Sequence, residues 1–124
     1  MRTRNQTYAL KVYEQVSGIK DRDAAFRQKY GSMAHRLPAL VRSAGLAQAL
    51  AFVESRAARD EEAVRTFLAH LGDAVGESDL AKRSRETGLH EYMALTRKVM
   101  LALEWYGRFA ESVLGVEKDS DVEG

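Results

Sequence analysis

Two short stretches of the chain each contain a pair of residues suited to chemistry on a phosphodiester. Arg65 precedes His70 and Arg85 precedes His90, so both stretches read Arg-x4-His. Histidine can act as a general base or acid, and a guanidinium can stabilise the charge that develops on a phosphorane. These residue types would therefore suit the cleavage of RNA.

The Arg-x4-His spacing resembles the motif of helical HEPN-type ribonucleases, so RNA cleavage is one alternative function. The two copies lie on separate predicted helices and cannot both be the one catalytic motif. We expect His70 instead at the C-terminal end of its helix, where a cation suits the helix dipole. We therefore predict no catalytic residues.

Other catalytic and metal-binding patterns are absent from the sequence. It contains no GxxxxGK[ST], GxGxxG, GxSxG or HExxH, and no glutamate is followed by histidine three residues later. There is no cysteine, and His35, His70 and His90 fall on three different predicted helices. We therefore expect neither a metal ion nor a cofactor.

Basic residues give a stronger indication of function. Arg22, Lys29 and Arg36 recur every seven residues, which predicts that they lie on one flank of the second helix. Their long side chains can lie over apolar surface and present the charge outward, where a strip of cations follows a phosphate backbone without reading bases. An ordinary solvated flank is the alternative. The predicted RNA-phosphate contacts are Lys20, Arg22, Arg27, Lys29, Arg36 and Arg42.

Charge is divided unevenly along the chain, whose net charge is +1. Basic residues predominate up to Arg59 and acidic residues predominate after it. This division suggests an acidic partner such as nucleic acid on one side and a basic partner on the other, although solvated helix faces also explain it. We predict partner contacts at Trp105, which lies beside an apolar stripe, and at the acidic run Asp60, Glu61 and Glu62, which also suits a helix N-terminus.

The elements that must position these residues are predicted to be helices throughout. Apolar residues recur at spacings of three and four, and the chain has one proline, Pro38, where we expect a kink or a break. The first buried stripe includes Val12, Tyr13 and Val16. The predicted fold is an all-α, compact, single-domain bundle of five to six helices over residues 1–114, followed by a short disordered acidic tail over residues 115–124.

Length and composition suit one globular domain outside a membrane. The 124 residues are 45% hydrophobic, which is enough for one buried core. No apolar stretch approaches the roughly 20 residues that cross a bilayer, and no apolar segment follows the charged N-terminus. We expect a cytoplasmic protein.

Two stretches of the sequence carry a family resemblance. Residues 29–52 read KYGSMAHRLPALVRSAGLAQALAF, and residues 91–97 and 102–111 read EYMALTR and ALEWYGRFAE. They resemble the small subunit of the type III-B CRISPR effector complex, the Cmr complex or RAMP module, over about residues 5–114. That signature combines Leu-Pro-x-Leu with a Gly-Leu-x-x-Ala-Leu-Ala-Phe run. Ala44 departs from it, because relatives often carry asparagine there.

The resemblance implies a small, helical, non-catalytic subunit that acts in antiviral defence. Several copies would lie along a ribonucleoprotein filament, beside a repeating backbone subunit that carries the RNA-cleaving aspartate and a large polymerase-like subunit. The implied partners are these other Cmr subunits, further copies of the chain, guide RNA and target RNA. A stand-alone helical adaptor remains a third alternative.

Overall fold

The structure, a computed structural model, describes residues 1–59 and 61–118. These residues contain no strand and fold into six helices: α1 (Arg4–Ser17), α2 (Ala24–Ala44), α3 (Leu46–Ala57), α4 (Glu62–Val75), α5 (Leu80–Glu86) and α6 (Leu89–Ser112). The predicted all-α bundle is confirmed.

Polar side chains determine where the first two helices begin. Thr3 accepts a hydrogen bond from the Gln6 N–H, and the Gln6 side chain accepts one from the Thr3 N–H, which completes a capping box. Asp23 accepts a 2.8 Å hydrogen bond from the Phe26 N–H and caps α2. Gly45, with φ at 88°, ends α2 and immediately precedes α3, a backbone conformation that favours glycine.

Pro38 does not break α2, which continues from Ala24 to Ala44 as one helix. Proline lacks an N–H and its ring crowds the carbonyl four residues earlier, at a cost of about 3 kcal/mol. Tyr30 before the proline and Val41 after it are both buried in the same core. Because both halves of α2 pack there, tertiary burial offsets the local cost. Of the two expected outcomes at Pro38, the break does not occur and the kink stays a prediction.

Helices α2 and α6 form the centre of the bundle. Helix α6 packs along both α1 and α2, α4 lies against α2, and α3 bridges α2, α4 and α5. Three buried rings join α2, α4 and α6. The ring centres of Tyr30 and Phe67 lie 5.3 Å apart and those of Phe67 and Tyr106 lie 5.2 Å apart, both pairs edge to face. Such pairs contribute about 0.5–1.5 kcal/mol each beyond their burial, so they help to fix the spacing of α2, α4 and α6.

The buried stripe of α1 differs from the predicted one at Tyr13. Tyr8, Val12 and Val16, spaced by four residues, are buried, whereas Tyr13 is 50% exposed. One position beyond Val12 is a rotation of about 100°, which carries Tyr13 off the stripe. Its ring packs edge to face on Phe109 of α6 at 5.2 Å, so Tyr13 contributes to a surface cluster.

The packed part of the chain extends beyond the predicted boundary at Leu114. Gly115, with φ at 73°, turns the chain so that the Val116 N–H donates to the Ala110 carbonyl at 2.8 Å. The Val116 side chain is only 4% exposed, and its carbonyl oxygen lies 2.8 Å from His35 Nε2. Val116, which was assigned to the acidic tail, therefore belongs to the core, because the turn directs it onto α2. Residues 119–124 of that tail lie outside the described residues.

Replacing Gly31 with alanine is expected to destabilise the fold. A Cβ at Gly31 would lie 2.7 Å from the Val116 Cβ, too close without a shift of the C-terminal segment. Overpacking of this kind costs about 1–3 kcal/mol, which exceeds the gain of about 1 kcal/mol in helix propensity. Urea denaturation should show a lower free energy of unfolding for Gly31→Ala.

Gly107→Ala is the matched control, because a Cβ there meets only the His35 ring at 3.7 Å, an ordinary contact. This variant should gain up to about 1 kcal/mol from helix propensity. Adding Val116→Gly to Gly31→Ala should cost less than adding it to the wild type, since all three Val116 atoms that crowd the new Cβ are then removed. A Gly31→Ala protein as stable as Gly107→Ala would contradict the close packing of Val116.

Candidate nucleic-acid interface

The predicted RNA-phosphate contacts on α2 lie on two sides of the helix. Lys29 and Arg36 are seven residues apart, which places them on one side of the buried face at about 100° per residue. The same geometry places Arg27 and Arg42 on the opposite side. We call Lys29 and Arg36 the first flank and Arg27 and Arg42 the second flank. Lys29 and Arg36 share a side, as their seven-residue spacing predicts, and RNA contact by the residues of either flank stays a prediction.

The two remaining candidates, Lys20 and Arg22, are exposed in the turn between α1 and α2. The Arg22 guanidinium lies 3.8 Å from the centre of the Phe26 ring and pairs with Glu62 of α4 at 3.2 Å. An exposed pair of this kind contributes at most about 1 kcal/mol to stability. It nevertheless directs the charge of Arg22 toward α4, so the first flank itself consists of Lys29 and Arg36.

The first flank continues onto α3. The Arg36 guanidinium lies 5.5 Å from the centre of the Phe52 ring, and Arg59 is exposed in the turn that follows α3. Lys29 and Arg59 both act electrostatically on Glu61, which places the two cations around one carboxylate. We call Lys29, Arg36 and Arg59 the basic face. Sequence reasoning missed Arg59, because only the packing of the helices brings Lys29 to the carboxylate that Arg59 also faces.

The acidic run at the start of α4 is engaged within the molecule. Both oxygens of Glu61 accept hydrogen bonds from Arg56, at 3.2 and 2.8 Å, and Glu62 pairs with Arg22. The hydrogen bond from Arg56 lowers the pKa of Glu61, and the charge of Lys29 lowers it further. Asp60 lies outside the described residues. The ion pairs join the start of α4 to α3 and to the turn between α1 and α2, and partner contact by this run stays a prediction.

Trp105 lies at the edge of a surface groove between α1 and α6. Its Nε1 donates a 2.9 Å hydrogen bond to Asn5 Oδ1, and its ring stacks on Phe109 at 5.6 Å. The groove has a volume of about 420 Å³ and is also lined by Leu10 and Tyr13. Trp105 is half-buried beside the apolar face, where the sequence placed it, and its predicted contact with a partner stays a prediction.

Neither Arg-x4-His pair forms a joint site. Arg65 donates to the carbonyl of Ala57 at the end of α3, whereas His70 Nδ1 lies 2.7 Å from the Tyr30 hydroxyl in the interior.

The second pair is also separated, because Arg85 pairs with Glu54 at 2.9 Å while His90 is exposed in the first turn of α6. His70 also lies inside α4, which continues to Val75, so its expected position at the helix end was wrong. No cluster of three or more potential metal ligands occurs in residues 1–59 and 61–118. Within the same residues, no helix is long and apolar enough to cross a membrane.

A half-buried polar cluster surrounds His70 and joins four helices. Gln15 of α1 donates to the His70 carbonyl at 3.0 Å and accepts a hydrogen bond from the Tyr106 hydroxyl of α6. Tyr30 of α2 bonds to the His70 ring. Burial raises the pKa of both tyrosines, so their hydroxyls stay protonated. Burial also lowers the pKa of His70, an effect that the Asp73 carboxylate partly opposes.

The lowered pKa of His70 predicts that stability falls in acid. The fold favours the neutral ring, so its contribution is complete above the unfolded pKa of about 6.5 and is lost as pH falls from there through the folded pKa. The free energy of unfolding, measured by urea denaturation between about pH 8 and pH 5, should decrease over this range. His70→Asn removes the titrating group and should flatten the profile. The exposed His90→Asn is the control, and a His70→Asn profile as steep as that of His90→Asn would contradict the assignment.

The fold and the two surface features define the class of protein to which the chain belongs. The described residues form a six-helix bundle with a basic face on α2 and α3 and an apolar groove between α1 and α6. The family model described as CRISPR-associated protein (Cas_Cmr5) matches residues 4–113. The chain therefore belongs to the Cmr5 family of CRISPR-associated proteins, which confirms the resemblance found in its sequence.

Known relatives agree with this assignment along nearly the whole chain. The CRISPR system Cmr subunit Cmr5 of Thermus thermophilus is 44% identical over 114 residues, which is 92% of this chain and 98% of that protein. A crystal structure of a Cmr5 family protein from the same organism matches with a TM-score of 0.82 at 43% identity, covering 91% of this chain and 99% of the other. The sequence similarity and the structural similarity to these relatives therefore cover nearly the same share of the chain.

Proposed function

We propose that this chain is a non-catalytic structural subunit of a type III-B CRISPR effector, the Cmr complex. It packs along the filament with further copies of itself, beside the repeating backbone subunit and the large polymerase-like subunit. The observation that carries this proposal is family membership over residues 4–113, together with a relative that is itself named a Cmr subunit. The place of action is the cytoplasm, where the complex meets RNA.

We further propose that the basic face supports guide and target RNA. Lys29 and Arg36 share one side of α2, and Arg59 extends the same positive region from the end of α3. Cations arranged in this way attract a phosphate backbone through release of counterions and do not distinguish bases. Target selection therefore falls to pairing with the guide, and the chain contributes affinity that depends on salt.

The ribonuclease alternative lacks geometric support. A general base and a charge-stabilising arginine must both reach one scissile phosphate. Arg65 and His70 are engaged in different places, and Arg85 pairs with Glu54 while His90 is exposed. A stand-alone adaptor would differ from a Cmr subunit only in its partners. The two functions are therefore distinguished by the proteins that co-purify with the chain.

The purified chain is expected to leave labelled single-stranded RNA intact, with or without divalent metal ions. A tagged chain should co-purify with guide RNA and the other Cmr proteins from cells that express them. His90→Ala and His70→Ala should leave RNA cleavage by the assembled complex unchanged, provided that His70→Ala folds, which circular dichroism checks. Cleavage by the pure protein that either variant abolishes would establish the ribonuclease function, and co-purification without Cmr proteins would favour the adaptor.

Neutralising the first flank should weaken RNA binding in a salt-dependent manner. Lys29→Ala combined with Arg36→Ala should lower the affinity of the assembled complex for target RNA. The slope of log affinity against log salt should become shallower by roughly 0.7–0.9 for each phosphate that the variant no longer neutralises. Filter binding at several salt concentrations measures both quantities.

Arg27→Ala combined with Arg42→Ala is the matched control, because it removes the same charge from the second flank. This control should keep the wild-type slope. Equal reductions in affinity for the two double variants would mean that overall charge, and not the first flank, governs binding.

A further inference from the structure

The carboxylate of Glu61 lies among the cations that we propose as an RNA contact. Its two oxygens accept hydrogen bonds from Nε and Nη2 of Arg56, at 3.2 and 2.8 Å. These two donors belong to the planar fork of the guanidinium, which binds a carboxylate and a phosphate in the same bidentate way. Glu61 therefore occupies the donors that Arg56 would otherwise present to a phosphate.

Arg56 belongs to the same surface as the first flank. It lies about one turn after Phe52 on α3, and its guanidinium is 5.9 Å from the centre of the Phe52 ring. The Arg36 guanidinium of the first flank lies 5.5 Å from the centre of the same ring. Because both guanidiniums lie over one ring, the two arginines are neighbours on the surface formed by α2 and α3. Arg56 without its carboxylate would extend the basic face.

Two cations of the basic face also act on this carboxylate. The hydrogen bond from Arg56 is the main cause of the lowered pKa of Glu61, and burial opposes it. The charges of Lys29 and Arg59 lower the pKa further, so the carboxylate stays ionised at neutral pH. Within the described part of the chain, Lys29, Arg36 and Arg59 form no ion pair. Arg56 differs from these three cations because a carboxylate takes up its charge.

Helix capping does not account for the position of the Glu61 side chain. Glu61 precedes the first residue of α4, but its side chain accepts no capping hydrogen bond from the N–H groups of that helix. The pair with Arg56 is also open to solvent, since the side chains of Arg56 and Glu61 are 26% and 20% exposed. A phosphate can therefore approach this guanidinium, and the bound carboxylate competes with it.

From these contacts we infer that Glu61 limits RNA binding by occupying the guanidinium of Arg56, which would otherwise contact a phosphate beside the basic face. This inference rests on the proposed function, which places RNA on the basic face, and it adds a residue that sets the strength of that contact. A phosphate that reached Arg56 would have to displace a bidentate carboxylate. The wild-type chain therefore binds RNA more weakly than its cations allow.

Glu61→Gln tests this inference, because glutamine keeps the size of the side chain and removes its charge. The assembled complex with this substitution should bind target RNA several-fold more tightly than the wild type at the same salt concentration. For the isolated chain and a labelled single-stranded RNA oligonucleotide, the slope of log affinity against log salt should become steeper by roughly 0.7, because one more phosphate is neutralised. Filter binding at several salt concentrations measures both quantities.

Glu62→Gln is the matched control. Glu62 carries the same charge at the same end of α4 and also pairs with an arginine, Arg22, at 3.2 Å. The two variants therefore change the net charge and the interaction with the helix dipole in the same way. Circular dichroism should show that both variants fold. Only Glu61→Gln should steepen the salt dependence, and equal gains for the two variants would overturn the inference.

Removal of Arg56 separates a phosphate contact from a general effect of charge. Arg56→Ala combined with Glu61→Gln should return the slope to its wild-type value, because the released cation is absent. Arg85→Ala combined with Glu61→Gln has the same net charge and removes an arginine that pairs with Glu54 on another part of the surface. This second combination should keep the steeper slope.

Two further results would overturn Arg56 as the restrained contact. One is a chain with Arg56→Ala and Glu61→Gln that binds RNA as tightly as Glu61→Gln alone, or no more weakly than the combination with Arg85→Ala. The other is unchanged RNA affinity in Glu61→Gln together with stronger retention of another Cmr subunit. In that case a carboxylate of a protein partner, and not RNA, would be the ligand of Arg56.

The outcomes separate this inference from the proposed function. Weaker RNA binding on neutralising the first flank, with no gain in Glu61→Gln, would keep the basic face and remove the role of Glu61. A gain in Glu61→Gln that depends on Arg56, in a chain that does not co-purify with Cmr proteins, would keep the role of Glu61 and remove the assignment to the complex.

Discussion

The half-buried polar cluster around His70 constrains the arrangement of four helices. Gln15, Tyr30, His70 and Tyr106 come from α1, α2, α4 and α6, and each uses a polar atom on a neighbour from another helix. A buried donor or acceptor that loses its partner costs about 1–3 kcal/mol, so a shift of any one helix along its axis is penalised. The apolar core around the cluster provides the burial of hydrophobic side chains. The hydrogen bonds fix the position of each helix along its axis relative to its neighbours. These positions in turn set where the basic face and the groove between α1 and α6 emerge.

Much of the fold could be predicted from the sequence because the relevant signals are local. Spacings of three and four identified the helices, and the Leu-Pro-x-Leu region carried the family resemblance. The expectations that the structure corrects concern positions where a contact between residues distant in the sequence determines the local structure. Pro38 sits inside an unbroken helix because both sides of it are buried, and Val116 belongs to the core because a turn at Gly115 directs it onto α2.

The candidate interface was harder to predict because it depends on which helices meet. A period of seven correctly placed Lys29 and Arg36 on one side of α2, whereas rotation around the helix places Arg27 and Arg42 on the other side. The division of charge along the chain is also partly cancelled within the molecule. Lys11 pairs with Asp73 at 3.2 Å and Arg22 with Glu62 at 3.2 Å, so cations of the first half neutralise carboxylates of the second. Sequence position alone cannot show which charges remain available to a partner.

The contact between Gly31 and Val116 also has a consequence for how this family can evolve. The two positions are far apart in the chain, yet the absent side chain of one provides the space for the other. A larger residue at position 31 is compatible with the fold only when position 116 is small or the C-terminal segment takes another path. Side-chain volumes at the two sites should therefore vary inversely among relatives. Such compensating pairs would reveal, from an alignment alone, which members seat their C-terminal segment on α2.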